Sequence, residues 1–318
     1  MGGPVFFLQQ NFSDFDDFCD NALKWDLDYR QLEGGSFSGE LLTFGNAHAI
    51  FSRARLDRRM LQRGVSPAGL VTFGLLANPD INIYWRNMDI SGNELFIFPP
   101  NGELYSISHT DFDVLVISLT EDKLNQVCAS LELPDFHDLV AGNEVFQCVP
   151  HGLAALRTLL LKIEREIRQM NGTFNPDLYM NQLENDLAIQ LIGLLACNCQ
   201  PAIRSRPRKR DLALQSAESY IREAGDRIVT IPELCGACNA SQRTLEYAFR
   251  ERYRLTPKEY TLVHRLNNAR KQLRAAVPKN NQVSMIAQQH GFWHMGQFSS
   301  SYRKLFAERP SETLKQTR

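Results

Sequence analysis

The chain has 318 residues, 43% of them hydrophobic and 22% charged, with a formal net charge of −1. That length predicts two folded domains, and the composition excludes a disordered, fibrous or densely disulfide-bonded secreted chain. No apolar run reaches the roughly 18 residues that a membrane span needs, and no basic segment followed by an apolar core opens the chain, so the sequence predicts a cytoplasmic protein without a membrane partner.

In chain order, residues from about Phe37 to Leu119 alternate short apolar runs with Gly, Pro and Asn: Leu70-Val-Thr-Phe, Ile81-Asn-Ile-Tyr-Trp, Glu94-Leu-Phe-Ile-Phe and Asp113-Val-Leu-Val-Ile-Ser. This spacing predicts a small β-barrel or sandwich. From Glu121 the period turns helical, with Leu153, Leu156, Leu160 and Ile163 on one face and Leu183, Leu187, Leu191 and Leu194 on another. The second row fits a helix covering the sheet and equally a homodimer seam. Seven cysteines, an odd number spread thinly, predict free thiols.

The stretch from Pro201 to Arg210 holds two prolines and five basic residues and reads as a linker over 201–211, with Arg208, Lys209 and Arg210 able to touch phosphates. It divides opposite charges. Up to Gln200 there are 13 Lys and Arg against 26 Asp and Glu; from Pro201 there are 22 against 10. A basic module suits DNA, where neutralising phosphates and releasing counterions supply most non-specific affinity.

The basic half repeats itself at an offset of 52 to 53 residues: Ile231, Leu234 and Cys235 correspond to Val283, Ile286 and Ala287. After a one-residue shift, Leu245, Phe249, Tyr253 and Pro257 correspond to Phe298, Tyr302, Phe306 and Pro310, and Glu259 to Glu312. Each copy reads as a short helix, a break of three or four residues and a second helix, which is helix-turn-helix spacing. Asn239 and Gly291 fill the turns, and Ser241 can cap the helix that follows it.

With Leu245, Ala248 and Phe249 packed inward, Gln242, Arg243, Glu246 and Tyr247 face out as base-contacting candidates. In the second copy, Phe298, Tyr302 and Leu305 pack inward and leave Met295, Gly296, Ser299 and Ser300 outward, with Arg303 and Lys304 a turn later. Arg243 is the leading candidate for direct readout, because a guanidinium can fork onto guanine. A helix over 257–277 joins the copies and runs roughly 30 Å, about one turn of duplex DNA.

Residues Leu212 to Leu314 resemble the AraC/XylS family, on Ser241-Gln-Arg-Thr-Leu-Glu-Tyr-Ala-Phe, Thr256-Pro-Lys-Glu-Tyr, Arg265-Leu-Asn-Asn-Ala-Arg, Ile286-Ala-Gln-Gln-His-Gly-Phe, Phe298-Ser-Ser-Ser-Tyr-Arg-Lys-Leu-Phe and Arg309-Pro-Ser. The resemblance implies a seven-helix DNA-binding domain and activation through contact with RNA polymerase. His294 replaces the usual Ser or Thr cap, and Ala307 the usual Gly. The N-terminal part is similar to the cupin-like effector domains that such regulators carry: Pro100-Asn-Gly102-Glu-Leu-Tyr105 matches a cupin motif, with Tyr105 where that motif has a histidine ligand. A phenol is a poor substitute for imidazole at neutral pH, which predicts a domain without metal or other cofactor.

The fold expectation is therefore α+β: a cupin-like β-barrel with trailing helices over 1–200, and an all-α domain with two helix-turn-helix units over 212–318. The effector is an unidentified small molecule, and Phe73, Tyr84, Trp85, Phe96 and Tyr105 are candidates both for its pocket and for plain barrel core. Two rivals stand beside the regulator. A cupin metalloenzyme fused to a DNA-binding tail would use His48 and His109, and an effector-independent scaffold would have a filled barrel. Cys235-Gly-Ala-Cys238 has zinc or redox spacing without a second pair, and reads as helix packing.

Overall fold

The computed structural model describes residues 4–86, 88–169, 175–203, 207–225, 227–277 and 282–316. They fall into two compact units: Met1–Tyr29 with Phe37–Arg204, and Arg30–Ser36 with Ser205–Arg318.

The first unit runs β1 (Phe6–Phe12), α1 (Phe15–Asn21), β2 (Asp26–Gln31), β3 (Gly39–Gly45), β4 (Ala49–Leu56), β5 (Met60–Val65), β6 (Val71–Leu76), β7 (Ile83–Trp85), β8 (Met88–Ile90), β9 (Glu94–Phe98), β10 (Glu103–Ile107) and β11 (Phe112–Leu119). Then come α2 (Glu121–Ser130), α3 (Phe136–Val140), β12 (Val145–Cys148), α4 (Pro150–Arg168), α5 (Pro176–Asn198) and β13 (Cys199–Pro201). An eight-stranded sheet has the order β1-β3-β4-β11-β6-β9-β12-β13, and a five-stranded one β2-β5-β10-β7-β8.

Neither sheet closes on itself, so the expected barrel is replaced by two open layers; a barrel needs its first and last strands paired. The large sheet is covered on both faces, which is why every residue of β6, Thr72 included, is buried and no alternation of buried and exposed positions appears. Phe51, Phe73, Leu115 and Ile117 pack in one core with the helices that follow. Leu183, Leu187, Leu191 and Leu194 are buried in that same core, so the row covers the sheet and offers no seam to a second copy.

The expectation of free thiols is overturned for one pair. Cys148 and Cys199 stand directly opposite on β12 and β13 and form a disulfide; Cys19, Cys128, Cys197, Cys235 and Cys238 are free. Sequence spacing could not show this, because the register of two short strands brings together residues 51 apart.

Seven helices among the described residues build the second unit: α6 (Lys209–Glu223), α7 (Ile231–Ala237), α8 (Gln242–Tyr253), α9 (Pro257–Ala275), α10 (Gln282–Gln289), α11 (Met295–Phe306) and α12 (Pro310–Lys315). The central α9 packs against α8, α10, α11 and α12 through Tyr260, Leu266, Ala269 and Leu273. The linker is shorter than expected, since β13 takes Pro201 and α6 begins at Lys209; residues 204–206 of it lie outside the described set.

The repeat is explained by how its helices end and begin. Arg254 and Ala307, each one residue past a recognition helix, are left-handed at φ 58° and 60°, with amides bonded back to Arg250 and Arg303. Pro257 and Pro310 then open the next helix, and the Glu259 and Glu312 carboxylates each accept the cap residue's N–H at 2.7 Å. A left-handed residue with a Cβ is strained where glycine is not. Ala307→Gly is therefore expected to stabilise the helical unit by about 1 kcal/mol in urea titrations; a lower midpoint would contradict the strain at this cap.

The second unit also contains Arg30–Ser36, which the sequence assigned to the first domain. Asn267 of α9 brackets the Gln31 backbone, accepting its N–H at 2.9 Å and donating to its carbonyl at 3.0 Å, while Gln31 Nε2 donates to the Leu305 carbonyl at 2.7 Å.

Candidate nucleic-acid interface and ligand cavity

In the first helix-turn-helix, α7 and α8 meet through Leu234, Leu245, Ala248 and Phe249, all buried. Asn239 turns the chain at φ 47°, and Ser241 Oγ accepts the Thr244 amide at 3.1 Å, satisfying an orphan donor at the start of α8. Glu233 fixes α7 to α6. Hydrogen bonds from Tyr220, then Arg227 and the Thr230 amide, pull its carboxyl down to about 2.

This frame leaves Gln242, Arg243 and Tyr247 exposed and Glu246 half-buried on the outer face of α8. Gln242 Nε2 donates to Glu246 Oε1 at 2.9 Å, so those two are already coupled. Arg243 has no hydrogen bond or ion pair among the described residues, and its guanidinium stands free at the N-terminal end of the helix. Arg210 lies over the Tyr247 ring at 4.9 Å and pairs with Glu251 at 2.8 Å. These contacts hold the Arg210 side chain against α8. Lys209 sits in the first turn of α6 and Arg208 caps it.

In the second unit Gly291 turns at φ 75°, where an added Cβ would come within 2.7 Å of Ile228. Arg265 donates to the His290 and Gly291 carbonyls at 3.3 Å and stacks on Phe292 at 4.7 Å, which fixes the turn. His294 stands at the cap without a side-chain cap bond, as the substitution of Ser or Thr implied. Gly296, Ser300, Arg303 and Lys304 are exposed, and Met295 and Ser299 are half-buried. Ser299, Ser300, Arg303 and Lys304 share an open groove with Arg309 and Ser311 at the start of α12. Three cations and three hydroxyls in one groove suit phosphate oxygens.

Sequence reasoning missed Arg309 and Ser311, which come from the helix after the recognition helix. It also missed Trp293, 69% exposed beside the start of α11; an aromatic in a turn of a buried repeat gives no signal that it faces solvent.

In the first unit a cavity of about 80 Å³ lies between strands of the two sheets, bounded also by α1 and the chain after it. Trp85 and Phe96 line it, but Phe73, Tyr84 and Tyr105 do not. The reason is strand alternation. Phe73 points to the helix-covered face and packs edge-on against Phe136. Tyr84 and Tyr105 neighbour inward residues in β7 and β10 and meet each other at 6.4 Å, with Arg63 over Tyr105 at 5.5 Å. His48 and His109 are exposed, and among the described residues no group of three His, Cys, Asp or Glu side chains could hold a metal ion.

Comparison with known proteins agrees with the helical half. A family model described as a helix-turn-helix domain matches residues 234–316. A solved structure described as a probable AraC family transcriptional regulator from Rhodopseudomonas palustris is 33% identical over 33% of this chain and 97% of its own, with a TM-score of 0.31. This chain belongs to the AraC/XylS family. Among curated relatives, a protein described as a probable thc operon regulatory protein of Rhodococcus erythropolis is 31% identical over 31% of this chain and 30% of its own length. The XylDLEGF operon transcriptional activator of Pseudomonas putida is 29% identical over 41% and 40%. The chain thus spans less than half the length of these curated relatives. Among the described residues, no helix is long and apolar enough to cross a membrane.

Proposed function

We propose that the protein is a sequence-specific transcription regulator that binds double-stranded DNA through α8 and α11 and activates transcription by contacting RNA polymerase. Residues 1–200, less the segment 30–36 that packs on α9, act as the effector domain, cupin-like in having two facing sheets around an apolar interior, and a linker after Pro201 joins it to a DNA-binding domain made of α6 to α12. The work is done in the cytoplasm, and no step needs a cofactor or chemical turnover. The observation that carries this reading is the pair of outward recognition surfaces in one unit: Arg243 unpaired on α8, and the Arg303, Lys304 and Arg309 groove beside α11. Cations at both places supply affinity for the phosphate backbone, and Arg243 supplies a fork for guanine.

The test starts from sequences that the full chain selects out of randomised duplexes. Arg243→Ala is expected to cost about 1–3 kcal/mol on the selected site and almost nothing on random duplex. Arg303→Ala with Lys304→Ala should weaken both and flatten the salt dependence. Failure to enrich any sequence would refute the function, and a uniform loss for Arg243→Ala would refute that residue's role.

A further inference from the structure

The cavity of the first unit carries a chemical signature beyond its apolar lining. Strand β10 lies between β5 and β7, and Ser106 is directly opposite Gln62 on one side and Trp85 on the other. The three side chains form a row across the sheet, and all three line the cavity. They are 1%, 2% and 0% exposed in that order, and Ser106 Oγ, Gln62 Nε2 and Trp85 Nε1 have no hydrogen-bond partner among the described residues. Buried polar groups are ordinarily paired, and three adjacent orphans on one wall make a site that asks for an acceptor. Across the cavity, Thr43 and Ser52 oppose each other on β3 and β4 and bond to one another at 3.2 Å. The rest is apolar, including Phe96, Phe98, Val114 and Val116, and Leu23, 40% exposed, marks where the lining reaches the surface.

We propose that this cavity takes an uncharged molecule of about single-ring size that presents a hydrogen-bond acceptor to Gln62, Ser106 and Trp85. The proposal rests on the reading of the first unit as an effector domain and names the class of its effector. Charge decides the class: among the described residues no Asp, Glu, Lys, Arg or His lines the cavity, so an anion or a cation would be buried without a counter-ion. A pure hydrocarbon would leave the donor row unsatisfied. A carbonyl, ester or ether oxygen on an apolar body satisfies both conditions.

The test uses the full chain at neutral pH and four probes of similar size: acetophenone, ethylbenzene, benzoate and benzylammonium. Titration calorimetry should show acetophenone binding about tenfold tighter than any of the others. Gln62→Leu and Ser106→Ala should each weaken acetophenone about fivefold and leave ethylbenzene unchanged. Both substitutions delete unpartnered groups, and if either variant fails to fold, Trp85→Phe makes the same comparison. Benzoate binding as tightly as acetophenone, acetophenone indifferent to the substitutions, or no probe binding overturns the assignment. DNA affinity at saturating probe separates the two readings. Acetophenone that binds without altering DNA affinity refutes the effector domain and keeps the cavity assignment, whereas benzoate that binds tighter and alters DNA affinity does the reverse.

Discussion

Replacing Glu164 by alanine is expected to cost the first unit about 1–3 kcal/mol, because it removes a buried carboxylate from two half-buried guanidiniums and leaves some of their donors unsatisfied. Glu164, on α4, is only 4% exposed; it pairs with Arg53 of β4 and accepts from Arg168 Nε at 2.9 Å, the two forming an ion pair. Arg53 also grips Asp113 of β11 with two bonds, at 2.8 and 2.6 Å, while Glu40 of β3 joins Arg55 at 2.7 Å and Arg168 at 2.5 Å. Three carboxylates and three guanidiniums thus tie α4 across three adjacent strands. Chemical denaturation is the measurement, and a loss below about 1 kcal/mol would place the network among ordinary surface pairs. The same cluster sets an acid limit. Burial pushes the Glu40 carboxyl up, but Arg168 and Arg55 more than offset it and hold it below the usual range. A depressed carboxyl contributes stability above its unfolded pKa of about 4.3 and loses it as pH falls through the folded value. Stability should therefore decline below about pH 4, and Glu40→Gln should blunt that decline.

What the sequence revealed and what it hid follow from the range of the interactions involved. The helical half was legible because its determinants are local: caps, left-handed turns and i, i+3, i+4 rows fall within a few residues, and repetition doubled each signal. Even the weakened cap at His294 could be read from one residue. The strand half depends on register between distant segments. The disulfide between Cys148 and Cys199, the inward row of Gln62, Ser106 and Trp85, and the outward turn of Tyr84 and Tyr105 all follow from which residue of one strand faces which of another. Aromatic content alone nominated five pocket residues, and alternation admitted Trp85 and Phe96. The polar members of the row escaped because a lone Gln or Ser in a strand reads as solvent-facing. The hold on Arg210 was hidden in the same way: three residues after Pro207 it reads as linker, and only the fold supplies Glu251 and Tyr247.

Phe298→Ala is expected to destabilise the helical unit by about 3–5 kcal/mol and to abolish selection by the second reading head. Phe298 is fully buried at the inner edge of α11, with its ring 4.9 Å from Phe292 and 5.5 Å from Tyr302. Tyr302 continues the stack to Phe306 at 4.7 Å and bonds Thr313 of α12 through its hydroxyl at 2.8 Å. Removing the first ring of that series opens a cavity at the point where α11 leaves its turn. That turn has no side-chain cap at His294 to hold it. The helix presenting Ser299, Ser300, Arg303 and Lys304 then loses the contact that sets its angle. Ser300→Ala, on the opposite face, is the control and should leave stability within about 0.5 kcal/mol. Urea unfolding followed by far-ultraviolet circular dichroism measures both variants. A Phe298→Ala midpoint equal to that of Ser300→Ala would mean that α11 is not anchored by its aromatic face, and the geometry of the whole second reading head would have to be redrawn.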